Sequence, residues 1–188
     1  MPLLPRKSLL VIVLLLSSAL GLWSAHSMAQ KKSSAPGNKP ASAAESQPIA
    51  IHEFQVEGVD VALMDVTRTA PDVVIVKWEY RNKTAQPQQL ATGSKGWSDP
   101  YRLSINTYLL AEDTKIKIPV SRDDKRVPVA AQHGAPNQLT ITVPASKTLK
   151  TWAKYIVPTT AKKVTVVITG TEPFEAVDVK EPEQKPGS

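Results

Sequence analysis

Val73 to Asn82 reads VVIVKWEYRN, so that Val74, Val76, Trp78 and Tyr80 fall on one side of an extended chain and Lys77, Glu79 and Arg81 on the other. Successive side chains of a strand point to opposite faces, and this alternation is the pattern of a half-buried β-strand. The same period recurs along the chain. Ile116, Ile118 and Val120 alternate with Lys115, Lys117 and Ser121. Val164, Val166 and Ile168 alternate with Thr165, Val167 and Thr169, and Leu139, Ile141 and Val143 make a shorter run. Val59, Val61 and Leu63 open another strand, in which the change of phase to Val66 predicts a β-bulge. Leu149 to Val157 (LKTWAKYIV) has two candidate inner faces, one with Leu149, Ala153, Tyr155 and Val157, the other with Trp152 and Ile156. Ser104 to Leu110 is strand-like as well.

Chain breakers separate these runs: Ala70-Pro71-Asp72, Gln86-Pro87, Gly93 to Gly96, His133 to Pro136, Pro144, Pro158 and Gly170. Proline disrupts a helix interior, and β-branched residues favour strands. No stretch sustains a helical face. Short strands spaced by turns predict an all-β domain, an antiparallel sandwich of about seven to nine strands, with a closed barrel as the alternative. Trp78 is expected to anchor its core. Trp97, in the loop GSKGWSD before Pro100-Tyr101, is either a lid over the core edge or an exposed contact.

The first 29 residues follow a different logic. Arg6 and Lys7 precede an apolar stretch from Ser8 to Trp23, and Ser27-Met28-Ala29 puts small residues at the −3 and −1 positions of a cleavage site. This is the layout of a secretory signal, cleaved after Ala29. The apolar run is short for a membrane span of roughly 20 residues. Gln30 to Pro48 is a Lys-, Ser-, Ala- and Pro-rich linker that cannot bury enough apolar surface to offset its ordering entropy. Lys180 to Ser188 reads as a second such tail, leaving residues 49–179 as the domain.

Charge and cysteine content narrow the function. The chain has 23 Lys+Arg and 17 Asp+Glu. The leader holds two of the cations, the linker three Lys and one Glu, and the tail two Lys and two Glu, which leaves 16 against 14 in the domain. Nucleic-acid binders concentrate cations on one face, and no dense Lys/Arg run is present. With no cysteine there is neither a disulfide nor a thiol nucleophile, nor the lipidated cysteine of a bacterial lipoprotein.

No catalytic pattern stands out. The sequence contains no G-x-S-x-G and no G-x-x-x-x-G-K-[ST]. His26 lies in the leader, and His52 and His133 are expected in solvent. Beyond the leader, two His, no Cys and one Met, Met64, make a poor transition-metal set. Glu112-Asp113 and Asp123-Asp124 flank the Lys115 to Ser121 run, but they stand among Lys115, Arg122, Lys125 and Arg126 as solvated turns do. Asn82-Lys83-Thr84 matches the N-glycosylation sequon, a short motif of low specificity.

Three blocks in order carry a family likeness. Trp78-x-Tyr80-x-Asn82 is the first; Tyr108 to Asp113 (YLLAED) followed by Lys117 to Asp124 (KIPVSRDD) is the second. Thr151 to Lys154 (TWAK), Val157-Pro158, Lys163 to Ile168 (KVTVVI) and Pro173-Phe174-Glu175 form the third. Together they resemble small exported bacterial immunoglobulin-like domains of unknown function, and distantly the secreted mycobacterial antigens. The resemblance implies an extracytoplasmic sandwich without catalytic residues. Some members sit beside an OmpA-type peptidoglycan-binding domain, which this sequence does not show.

The expected function is therefore a non-catalytic binding or assembly role in the cell envelope, periplasmic or secreted. The expected partner is an envelope protein or a cell-wall polymer, with no nucleic acid, no cofactor, no metal and no membrane span after cleavage. Trp97, Tyr101 and Trp152 are the candidate contacts, since loop and surface aromatics favour recognition. The alternatives are a small-molecule or metal-ion carrier and a hydrolase with a scattered active site. The sequence leaves oligomeric state open.

Overall fold

The computed structural model describes residues 47–93, 99–135 and 138–181. Residues 1–29, expected to be a secretory signal, and the loop tryptophan Trp97 lie outside the described residues. Within them are ten strands: β1 (Ala50–Glu53), β2 (Val59–Ala70), β3 (Val73–Asn82), β4 (Gln88–Thr92), β5 (Tyr108–Ala111), β6 (Lys117–Pro119), β7 (Thr140–Val143), β8 (Thr148–Ile156), β9 (Lys163–Val167) and β10 (Phe174–Asp178). All strand pairs are antiparallel. One sheet has the order β1-β2-β3-β8, a second β10-β9-β5-β6, and β4 and β7 form a third.

The alternation in β3 does what the pattern requires. Val74, Val76, Trp78 and Tyr80 are buried, and they share one hydrophobic cluster with Leu109, Val164, Val166 and Phe174 of the second sheet and with Leu90 and Ile141 of the third. The predicted bulge in β2 is present as a register shift between Leu63 and Asp65. It lets Leu63 and Val66 both face inward. In β8 the inward face is Thr151, Ala153 and Tyr155, continued by the buried Val157 just past the strand, while Trp152 and Ile156 point to solvent.

Other expectations are corrected. Ten strands stand where about seven to nine were expected, because β1, β4 and β10, of four, five and five residues, are too short to show a period in the sequence. Residues 100–106 form consecutive turns, not a strand, held by Ser104 N–H and Ile105 N–H on the Tyr101 carbonyl at 2.8 Å each. The Lys115 to Ser121 run is a strand only over Lys117–Pro119, because Lys115 adopts a φ of 55° and Ile116 is left exposed. Leu139 likewise falls outside β7 and is exposed.

Two tyrosines connect the first sheet to the turns at 100–106. The Thr107 hydroxyl donates to the Ser104 carbonyl at 2.6 Å, so its contact with the Tyr155 hydroxyl, also 2.6 Å, has Tyr155 as donor. The Tyr80 hydroxyl faces the Leu103 carbonyl at 3.4 Å. Burial pushes the Tyr80 hydroxyl up to about 12 and raises Tyr155 further still. Both are neutral donors at any physiological pH.

The fold extends past Val179. Lys180 N–H donates to the Val66 carbonyl and Arg68 N–H to the Lys180 carbonyl, completing the edge of β2 beyond β1. Arg68 is itself buried, and its guanidinium donates to the carbonyls of Pro71, Pro158 and Ala161. Spread over three acceptors, the charge also lies 3.4 Å from the Glu181 carboxylate.

Candidate functional site

The outer face of the first sheet is built by the register of β2, β3 and β8. Glu79 stands between Ala62 and Lys150, and Lys77 between Asp65 and Trp152. Because alternate residues share a face, Lys150, Trp152 and Lys154 project together from β8. Trp152 is 39% exposed, whereas Thr151 and Ala153 on either side of it are buried. Beside it, Met64, Lys77, Glu79, Lys150 and Thr151 line a depression of about 220 Å³.

Charge on this face is organised. Asp65 meets the Lys77 ammonium at 3.2 Å and the Lys180 ammonium at 3.7 Å. Burial alone would raise the Asp65 carboxyl, but the Thr67 hydroxyl and Lys77 more than offset this and hold it below its usual value. Glu79 is held by Arg81 at 2.9 Å and reached by Lys150 at 4.0 Å. Arg81 also lies 3.4 Å from the Met64 sulfur.

Of the three predicted contacts, Tyr101 and Trp152 fall among the described residues. Trp97 lies outside the described residues. Tyr101 is half-buried against the core, and its hydroxyl accepts from the Gln132 amide, so it is a packed turn residue instead of a free aromatic. Trp152 is displayed on an open sheet face. One segment links the latter two: His133 N–H donates to the Pro100 carbonyl, and Ala131 N–H to the Trp152 carbonyl. Lys77, Lys150 and Lys154 were missed as site residues. The alternation in LKTWAKYI already places Lys150 and Lys154 beside Trp152, so the signal was available once the inward face of β8 was known.

Neither histidine is free in solvent. His52 stacks on Phe174 with ring centroids 4.2 Å apart and an interplanar angle of 5°, and its Nδ1 lies 3.1 Å from the Glu172 carbonyl. It lines an open cleft with Ile51, Phe54 and Gly170. His133 is half-buried, with Nε2 3.0 Å from the Thr151 hydroxyl. The β8 edge captures it because residues 129–131 run alongside that strand. Burial lowers the His133 pKa from its ordinary 6.5. The unfolded chain therefore takes up a proton more readily than the folded one, and stability is complete above about pH 6.5 and declines as pH falls below it. Between pH 7 and pH 5.5 the urea midpoint should drop more in the wild type than in His133→Gln, which keeps a polar partner for Thr151 without titrating. Equal drops would remove His133 from the account.

The acidic pairs act as turn caps. Asp123 Oδ1 accepts from the backbone N–H of Lys125 and Val127, and Glu112 binds the Lys115 ammonium at 2.8 Å. Among the described residues no group of three His, Cys, Asp or Glu is placed to hold a metal ion. No described helix is long and apolar enough to cross a membrane. No protein-family model, curated protein or solved structure matches the chain.

Proposed function

We propose that this chain is an exported, non-catalytic binding domain of the bacterial cell envelope, built as an immunoglobulin-like β-sandwich. The sandwich reading is supported by two four-stranded antiparallel sheets that contribute to a single core. Export is supported by the charged start, apolar stretch and Ser27-Met28-Ala29 of the leader.

The observation that carries the binding role is Trp152. A tryptophan on the solvent side of a sheet contributes nothing to the core that Tyr155 and Ala153 already fill from the same strand. Large aromatics that stay displayed beside a depression are what binding surfaces use as anchors. The exposed Ile51 and Ile156 extend apolar surface from the same sheet.

Expressed from its full sequence in a bacterium, the protein should leave the cytoplasm with Gln30 at its N-terminus, read by mass spectrometry. An intact Met1 on exported protein overturns the cleavage. Isolated envelopes should retain the purified mature protein. Trp152→Ala should weaken that retention by about tenfold, equivalent to roughly 1.4 kcal/mol. Stability should move by less than about 0.5 kcal/mol, as for an ordinary surface change. Retention unaffected by the substitution would sink the role assigned to this face.

A further inference from the structure

Resting on the binding role just proposed, we infer that the Trp152 face takes an anionic polysaccharide, a sugar polymer bearing carboxylate or phosphate groups. The charge balance around the indole is the first ground. Lys77, Arg81, Lys83, Lys150, Lys154 and Lys180 stand on or beside this face against the carboxylates of Glu53, Asp60, Asp65 and Glu79, and the acids Glu53 and Asp60 lie toward β1, away from the ring. The carboxylates nearest the ring are already engaged, Asp65 by two ammonium groups and Glu79 by Arg81 and Lys150, and Asp60 is engaged by Lys83. The Lys77 and Lys150 side chains are 58% and 84% exposed, so their ion pairs are weak surface contacts that an incoming anion can share.

Spacing is the second ground. On one face of a strand alternate residues stand roughly 7 Å apart. Lys150, Trp152 and Lys154 therefore form a line of cation, ring and cation along β8, with Lys77 across from the ring. A flat indole receives the C–H face of a pyranose ring, which the π-cloud attracts. Ammonium groups on either side then meet anionic groups on successive sugars.

The third ground separates a polysaccharide from a peptide. Extended peptides commonly bind by adding a strand to an open sheet edge. At β8 that edge is occupied: Ala131 N–H bonds the Trp152 carbonyl, Lys154 N–H bonds the Val129 carbonyl, and Ser121 N–H bonds the Lys154 carbonyl. What β8 offers at Trp152 is side chains alone, a ring and charges without backbone pairing.

The test uses the mature protein in native gels cast with soluble polymers. Polygalacturonate should retard it, and neutral dextran should not. Retardation should fade as salt rises, because exposed charge contacts are screened. Trp152→Ala and the double variant Lys150→Glu/Lys154→Glu should each weaken polygalacturonate binding about tenfold or more, while Lys125→Glu, on a turn elsewhere, leaves it unchanged. Equal retardation by polyglutamate overturns the proposal and assigns the face to acidic peptides. Polygalacturonate binding that ignores Trp152 overturns it too. If polygalacturonate fails while envelope retention still depends on Trp152, the polysaccharide assignment falls alone; if both fail, the binding role falls with it.

Discussion

Trp78→Ala is expected to cost about 3–5 kcal/mol, the range for truncating a large buried aromatic. Trp78 heads the fully buried side chains by volume and is 1% exposed. It sits in β3, between Leu63 of β2 and Thr151 of β8, so strands on both sides confine it and neither can collapse far into the space left behind. Cavity cost depends on that freedom to relax. A domain with a typical stability of about 5–15 kcal/mol would be left with little or none of it at the lower end of that range. Trp78→Phe should be milder. It leaves a smaller void, and it removes an indole N–H that has no acceptor in the core. Urea denaturation followed by far-ultraviolet circular dichroism measures both. A loss below about 1 kcal/mol for Trp78→Ala would mean that the residue does not anchor the core.

The same substitution marks what could be read before the structure was known. Strands with a strict period of two, such as Val74 to Tyr80, are legible because burial on one face writes the pattern directly into the sequence. The bulge near Met64 was legible for the same reason, as a break in phase. Where polar side chains face inward, the pattern misleads. Thr151 is buried on the inner face of β8, and that single polar residue made the strand ambiguous between Tyr155 and Trp152. Long-range partners were illegible. The Arg68 guanidinium is buried by carbonyls from Pro158 and Ala161, some 90 residues away, and nothing local announces them. His133 looked like a turn residue because residues 129–131 reveal their attachment to β8 only through backbone hydrogen bonds. The candidate site follows the same rule. Trp152 was legible as an aromatic, whereas its cationic neighbours Lys77 and Lys154 needed the inward face and the β3–β8 register.

Asn82 carries the second large effect, and it gives the sequon a different meaning. Asn82 is 4% exposed. Its side-chain amide donates to the carbonyls of Gln86, Val143 and Pro144 at 2.7, 3.2 and 3.0 Å. Its side-chain oxygen accepts from the Thr84 backbone N–H at 2.9 Å and from the Thr84 hydroxyl at 2.8 Å. One buried amide thus ties the end of β3 to the turn that follows it and to the turn after β7. Gly58 completes the junction: its φ of 74° suits glycine, Lys83 N–H bonds its carbonyl, and a Cβ there would collide with Thr84. Asn82→Ala strands these carbonyls in the interior, and each buried unsatisfied group costs about 1–3 kcal/mol. The expected total is about 3–5 kcal/mol, with turn relaxation and water entry limiting the sum. Asn82→Asp should be at least as damaging at neutral pH, because it sets a carboxylate against carbonyl oxygens with no proton to donate. Thr84→Val, which removes only the hydroxyl bonds, should cost less than either. The native role also excludes modification of the folded protein, since a glycan would replace one of the two hydrogens that Asn82 donates and would need room beside a side chain that is only 4% exposed. Secreted from a glycosylating host, the folded protein should therefore carry no glycan at Asn82, and any modified fraction should be misfolded by hydrogen exchange. A glycosylated chain as stable as the bare one would show that this junction does not hold the turns together.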